Sequence, residues 1–382
     1  MKKQHFYWLV TLLLVAVCTI LIWQRYRPSI SHSASLLIAA NLPLTGDLSV
    51  YGQSIREGAE LAIQDAETET KKTVKFDWQD NRSQSSDAVT VFQIHQQIKP
   101  DVYVSGVKPQ TMAILDEVSR LGIPHFVWIF DAQINKGLAK GDGANLRTWV
   151  NYKIEPPVYV EYAKKVAAKK VAVAYVQLPH STEEIEEILC PQLESQQIEC
   201  LRFPFAFGES EFKGLAAKMA DSKPDLFILN GFQNDLIALV RALRGLEVIK
   251  DGNLIGTYDM LDAAKVLGAN EIEGLRCVAP KFVLHPLSDG YQQWRQRFMA
   301  KYQKEPLYTH AYAYDMANAL MKAALTFADR TSKPEPGEIL GTLKGMKSEG
   351  ITGPIEFDTD GDLKTPVAVG VFRDGTLHLD TK

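Results

Sequence analysis

The chain has 382 residues, 46% of them hydrophobic, and 42 lysines and arginines against 46 aspartates and glutamates give a net charge of -4. That length holds two globular domains with their own cores. The slight acidic excess, without any basic run, excludes nucleic acid, which needs a basic face, as a partner.

After Met1, Lys2 and Lys3, an uncharged apolar run of eighteen residues extends from Phe6 to Trp23, and Arg25 and Arg27 follow it. A cleavable signal core spans about 7 to 15 residues and a bilayer crossing takes about 20, so the run reads as a transmembrane signal anchor, with residues 1–35 as anchor and linker. Trp8 and Trp23 near its two ends suit interfacial belts. Cys18 follows Val17 where a lipidated cysteine wants a small residue, which makes lipidation the minor option; cleavage among the small residues from Ser31 to Ala34 stays open.

Leu36 to Ala40 is a buried-strand run that breaks at Pro43. Gly46, Gly52 and Gly58 follow six residues apart, and then comes a helix with Ile55, Ala59, Ala62, Ile63 and Ala66 on one face. A strand, a glycine-bearing loop and a helix make a unit whose loop lies beyond the carboxyl end of the strand, where small ligands dock. Val74 to Trp78, Val102 to Val104 and Ile123 to Ile129 are further strands, alternating with helices through Val91 and Val118. Such alternation means a parallel sheet with right-handed crossovers.

After Leu146-Arg147-Thr148 the pattern repeats, with predicted strands at Val171 to Val176, Glu199 to Phe203, Leu226 to Leu229 and Leu254 to Thr257 and helices between them. Val278 to Phe282 is another strand, Leu307 to Ala328 a long helix, and Val367 to Phe372 the last strand.

Of Cys18, Cys190, Cys200 and Cys277, none forms a CxxC pair, so no zinc site is expected. Cys190 and Cys200 flank a helix-to-strand turn and either bridge in an oxidising compartment or stay as two buried thiols. Asp358, Asp360 and Asp362 imitate half a calcium loop, but Gly361 comes too early and no closing glutamate follows, so a turn is the reading. GxSxG, P-loop, HExxH and GxGxxG motifs are missing, which argues against an enzyme and against a cofactor. His125, His180 and His310 are the histidines placed to face a cleft, each with a structurally bonded role as the plainer alternative.

Residue identities carry the argument further. Pro43-Leu44-Thr45-Gly46, then Tyr51-Gly52, then Gly58-Ala59 closely resemble the first unit of type I periplasmic ligand-binding proteins, in particular the leucine/isoleucine/valine-binding branch of ABC transporter substrate-binding proteins. Tyr314-Asp315 resembles that family's Ala-Tyr-Asp helix, and Thr352-Gly353-Pro354 through Gly361-Asp362-Leu363 its closing hairpin. The resemblance implies an α/β fold of two doubly wound parallel-sheet lobes joined by a three-segment hinge. It assigns residues 36–150 plus 282–350 to an N-terminal lobe and 151–281 plus 351–382 to a C-terminal lobe.

The function it implies is an extracytoplasmic solute-binding protein that closes on an amino acid or amide-like molecule and delivers it to ABC permease subunits. The alternative is a membrane-tethered ligand sensor or envelope regulatory protein with the same fold. Either would be held at the inner membrane by the N-terminal helix, with the globular part in the periplasm. Carried over position by position, the family's ligand contacts fall on Tyr51 in the first loop, Lys108 where a serine is usual, Ile129 and Asp131 after the fourth strand, Phe232 in the second lobe, and Tyr258 or Asp259 at the acidic position.

Overall fold

The computed structural model of the protein describes residues 36–67, 74–130, 144–328, 330 and 332–381. The predicted anchor at residues 1–35, and Asp131, lie outside the described residues. Among the described residues no helix is long and apolar enough to cross a membrane.

The first sheet contains β1 (Leu36–Leu42), β2 (Val74–Asp80), β3 (Val102–Gly106), β4 (His125–Trp128) and β5 (Asn145–Leu146), ordered β2-β1-β3-β4-β5. All four pairings are parallel, with Leu36 opposite Val74 and Ile38 opposite Val102. Strands β1, β3 and β4 are buried almost throughout because helices cover both faces, whereas the edge strand β2 is half-buried and carries Lys75, Asp77 and Asp80. One cover is a helix pair, Ser49–Glu67 on Tyr308–Leu325.

Glycine sets the approach of these two helices. A Cβ on Gly58 would stand 2.2 Å from the His310 carbonyl oxygen, and one on Gly52 would stand 2.2 Å from that of Pro43. Polar contacts then fix the register: Tyr314 Oη donates to Asp65 Oδ2 at 2.8 Å, and the buried His310 ring meets Glu57 Oε2 at 2.9 Å. The glycine spacing in the first loop and helix is thus a packing requirement.

The second sheet contains β6 (Lys170–Val176), β7 (Glu199–Phe205), β8 (Leu226–Asn230), β9 (Leu254–Gly256) and β10 (Arg276–Pro280), and also β13 (Val367–Arg373) and β14 (Thr376–Leu379). Its order is β14-β13-β10-β9-β8-β6-β7. Pairings from β7 to β10 are parallel, but β13 runs antiparallel to both β10 and β14. The sheet is therefore mixed rather than purely parallel, and Val367–Arg373 is not the last strand. Asp374-Gly375, both at positive φ, close a tight hairpin into β14, a two-residue turn that periodicity alone does not mark.

The chain passes between the two sheets three times: after Leu146, between β10 and the helix Asp289–Tyr302, and before β13. Ile355, Phe357 and Leu363, near a small hairpin of β11 (Ser348–Glu349) and β12 (Pro354–Ile355), pack into the first core. At Asp358 the carboxylate accepts the N–H groups of Asp360 and Asp362, each at 2.9 Å, so it serves the turn. Cys190 and Cys200 are disulfide-bonded, joining the helix Cys190–Ser195 to β7.

Two of the crossings are tied by a buried ion pair. Fully buried Arg147 directs Nε and Nη2 to Asp362 Oδ1, each at 2.7 Å, and Nη1 to the Ile129 carbonyl at 3.0 Å. Asn151 Nδ2 donates to the other Asp362 oxygen at 2.9 Å. Removing one member of such a pair strands a desolvated charge. Arg147→Ala is accordingly expected to lower the unfolding free energy by about 3–5 kcal/mol, measured by urea titration. Gly58→Ala, which must push two helices apart, is expected to lose about 1–3 kcal/mol in the same assay.

Candidate ligand cleft

The segment after β4 of the first sheet meets the segments after β6 and β9 of the second, at the carboxyl ends of the strands as expected of doubly wound sheets. A chain of aromatic rings runs through this region. Trp149 stacks on Tyr308 at 5.2 Å between centroids, Tyr308 meets Tyr258 edge-on at 5.8 Å, and Tyr258 meets Phe130 at 5.6 Å. Phe130 also touches His180 at 5.6 Å and Tyr152 at 6.0 Å. Tyr258 and His180 follow strands of the second sheet, whereas Phe130 follows β4 and Tyr308 begins a helix of the first core.

Close to Tyr258 lie acidic side chains that, among the described residues, form no ion pair with a lysine or arginine. Glu155 is fully buried at the start of the helix Glu155–Lys165, where Oε1 accepts from Thr257 Oγ1 at 2.8 Å and the Tyr258 N–H at 3.0 Å, and Oε2 accepts from Tyr159 Oη at 2.7 Å. Glu184, equally buried, takes one hydrogen bond, from Asn230 Nδ2 at 2.9 Å, and its Oε1 accepts none. Burial pushes the carboxyls of Glu155 and Glu184 up, and their mutual repulsion pushes Glu184 well above the usual range. For Asp259, burial first and then Glu155, Asp262 and Asp235 raise the pKa to about 8. A carboxyl in this setting stays protonated, or waits for a positive charge.

The residues singled out from sequence divide into groups. Tyr51 stands on the first turn of Ser49–Glu67, half exposed, and burial together with Asp259 and Asp262 raises its hydroxyl pKa, which puts it on the cleft side. Tyr258 is buried in the ring chain and Asp259 is partly buried beside it. Lys108, exposed, opens the short helix Lys108–Met112 after Val107, whose φ of 69° is a strained conformation for a β-branched residue. Ile129 is core: it packs with Leu115 and Val127 and uses only its carbonyl, on Arg147. Phe232 is 40% exposed and contacts the exposed Phe207, away from the ring chain.

Residues that sequence reasoning did not single out are Glu155, Glu184, Tyr308 and, as a cleft residue, Phe130. Strand alternation holds the signal for the last of these. If Ile129 points into the core, its neighbour points the other way.

Of the histidines, His180 lies at Phe130, and the other two are structural. His125 Nδ1 bonds Asn145 Oδ1 at 2.9 Å and Nε2 bonds Ser105 Oγ at 2.8 Å, and Ser105 meets Thr111 Oγ1 at 3.0 Å. Serine, histidine and asparagine in series resemble a nucleophilic triad, but Ser105 is 1% exposed and burial holds His125 down at about 3, so the row anchors the loop after β3.

The raised Asp259 carboxyl has a consequence for stability. The folded protein binds a proton there that the unfolded chain, with an ordinary aspartate, releases near pH 4, so stability falls as pH rises from about 4 to about 8. Asp259→Asn is expected to flatten that slope and to melt higher than the parent at pH 8. Near pH 4 the two should melt together, as followed by circular dichroism.

Residues 35–376 match the family model described as periplasmic binding protein. Among solved structures, a leucine-binding protein LivK from Thermotoga maritima is 18% identical with a TM-score of 0.74, over 91% of this chain and 98% of its own. The LivJ substrate-binding protein of Streptococcus pneumoniae, crystallised with isoleucine, is 20% identical with a TM-score of 0.73, over 90% and 97%. A solute-binding protein from R. palustris in complex with benzoate is 17% identical with a TM-score of 0.74, over 91% and 95%. No functionally curated protein matches the chain. At such identities the solved structures speak for the fold, an α/β periplasmic-binding-protein type I architecture, while the family model covers most of the sequence: the chain belongs to the periplasmic binding protein family.

Proposed function

We infer that this is an extracytoplasmic solute-binding protein that closes on a small molecule, an amino acid or amide-like compound, and presents it to the permease of an ABC transporter. The observation that carries the reading is the contact of Phe130 with Tyr258 and His180, where rings from the two bodies meet. Ligand contacts from both bodies exist together only when the bodies are closed, so a ligand shifts the population towards closure. Relatives of this architecture are named for leucine or were crystallised with isoleucine or benzoate, ligands of similar size.

In this reading the lobes are residues 36–150 plus 282–350 and 151–281 plus 351–382, with the stretch around Ile355 to Leu363 leaning on the first. Three connections form the hinge. Tyr51, Tyr258 and Asp259 line the cleft, and Lys108 stands at its mouth. Residues 1–35 hold the protein at the inner membrane with the rest in the periplasm. The Cys190–Cys200 disulfide suits that oxidising compartment.

A titration of the purified protein with amino acids, short amides and aromatic carboxylates, read by melting temperature and by small-angle scattering, tests the reading. A true ligand at a hundred times its Kd adds about 2.7 kcal/mol of stability and a rise of several degrees, with a smaller radius of gyration. Tyr258→Ala is expected to weaken that ligand at least tenfold. No shift with any small molecule, in a protein that unfolds cooperatively, would overturn it.

A further inference from the structure

We propose that the head group taken by this cleft is an organic cation, a primary or methylated amine or an amino-acid amide, held by Glu184, Glu155 and Asp259 under the ring chain, and that a free carboxylate on the ligand is disfavoured. This rests on the solute-binding reading and narrows its ligand class.

Glu184 supplies the first observation. Its Oε1 is fully buried, no N–H or hydroxyl group of the described residues donates to it, and the side chain paired with Glu184 is another carboxyl, that of Glu155, which bonds it only through a shared proton. Two facing carboxyls make a contact only by sharing a proton or by enclosing a cation. Asp259 extends the same surface, and the charges acting on it, Glu155, Asp262 and Asp235, are all negative. Among the described residues no lysine or arginine forms an ion pair with Glu155, Glu184 or Asp259. A positive ligand supplies the missing charge.

Aromatic geometry is the second observation, independent of the first. Tyr258, one residue before Asp259, donates its backbone N–H to Glu155 and turns its ring towards Phe130 and Tyr308. Aromatic rings near a carboxyl pair attract a desolvated ammonium and tolerate its methylation. An anion gains nothing from them.

A carboxylate on the ligand needs its own partner on closure. The buried guanidinium in this region, Arg147, is committed to Asp362 and the Ile129 carbonyl. Lys108 is exposed, on the rim of the first body. Among the described residues the buried charged side chains around Tyr258 are acidic, so of the two charges of an amino acid they compensate one.

Calorimetry and melting of the whole protein with five probes decide the matter: benzylamine, benzyl alcohol, benzoate, leucinamide and leucine. The expected result is binding of benzylamine and leucinamide, no response to benzyl alcohol or benzoate, and leucine at least tenfold weaker than leucinamide. Glu184→Gln, which keeps size and the bond to Asn230, should weaken the amines tenfold or more. Asp259→Asn gives the same readout from a less buried position if the first variant melts early. Tighter binding of leucine or benzoate than of their amine counterparts would overturn this inference and leave solute binding intact. Silence from these five with a response to another small solute would do the same. Silence from every small molecule would overturn both.

Discussion

The two sheets can act as one device only because the strands of chain between them keep a fixed geometry, and the Arg147–Asp362 pair is what fixes it. The pair joins the first crossing to the third, 215 positions apart in sequence, and the backbone repeats the tie: the Arg147 N–H donates to Gly361, and the Leu363 N–H donates to Arg147. A guanidinium with no exposed surface must use its donors in place, and here Asp362 and the Ile129 carbonyl absorb them. The last contact reaches the end of the loop entry after β4. One side chain therefore sets the spacing of two crossings and the position of the segment that carries Phe130.

Much of this was legible in sequence because it depends on local rules. Apolar runs bounded by turn residues gave the parallel strands, and Gly52 and Gly58 marked close approaches that only a hydrogen atom in place of Cβ permits. Less legible were features that depend on distant partners. Ile129 and Phe130 are both apolar and adjacent, and which of them faces the cleft is decided by where Leu115 and Val127 lie. Glu155 and Glu184 look in sequence like ordinary helix carboxylates among several, Glu183, Glu186 and Glu187 beside them. Their burial follows from packing against Thr257 and Asn230, at the ends of strands far along the chain.

The strain and the desolvation in this protein sit on the same side of the sheets. Val107 takes a left-handed φ directly after β3, and the row Ser105, His125 and Asn145 braces it from below with a neutral imidazole. Across the gap, buried carboxyls lie where no lysine or arginine of the described residues pairs with them. Both arrangements cost folding free energy, and both occur at the carboxyl ends of strands, where a bound molecule could recover some of it.

A buried acidic group without a cation is a poor structural element, since replacement by a neutral side chain of the same shape stabilises the fold. Glu184 and Asp259 differ in this respect from Asp315, which is buried at 1% exposure. Asp315 accepts the N–H groups of Ile351 and Thr352 and the Thr352 hydroxyl, so a pKa raised only to about 6 by burial reflects a carboxylate satisfied by its own chain. Glu184 accepts a single such bond, and the charges acting on Asp259 among the described residues are all negative. One carboxyl ties the helix Tyr308–Leu325 to the returning chain, a structural purpose complete within the fold. Glu184 and Asp259 have no such set of donors among the described residues, and a positive group entering the cleft would supply the missing partner.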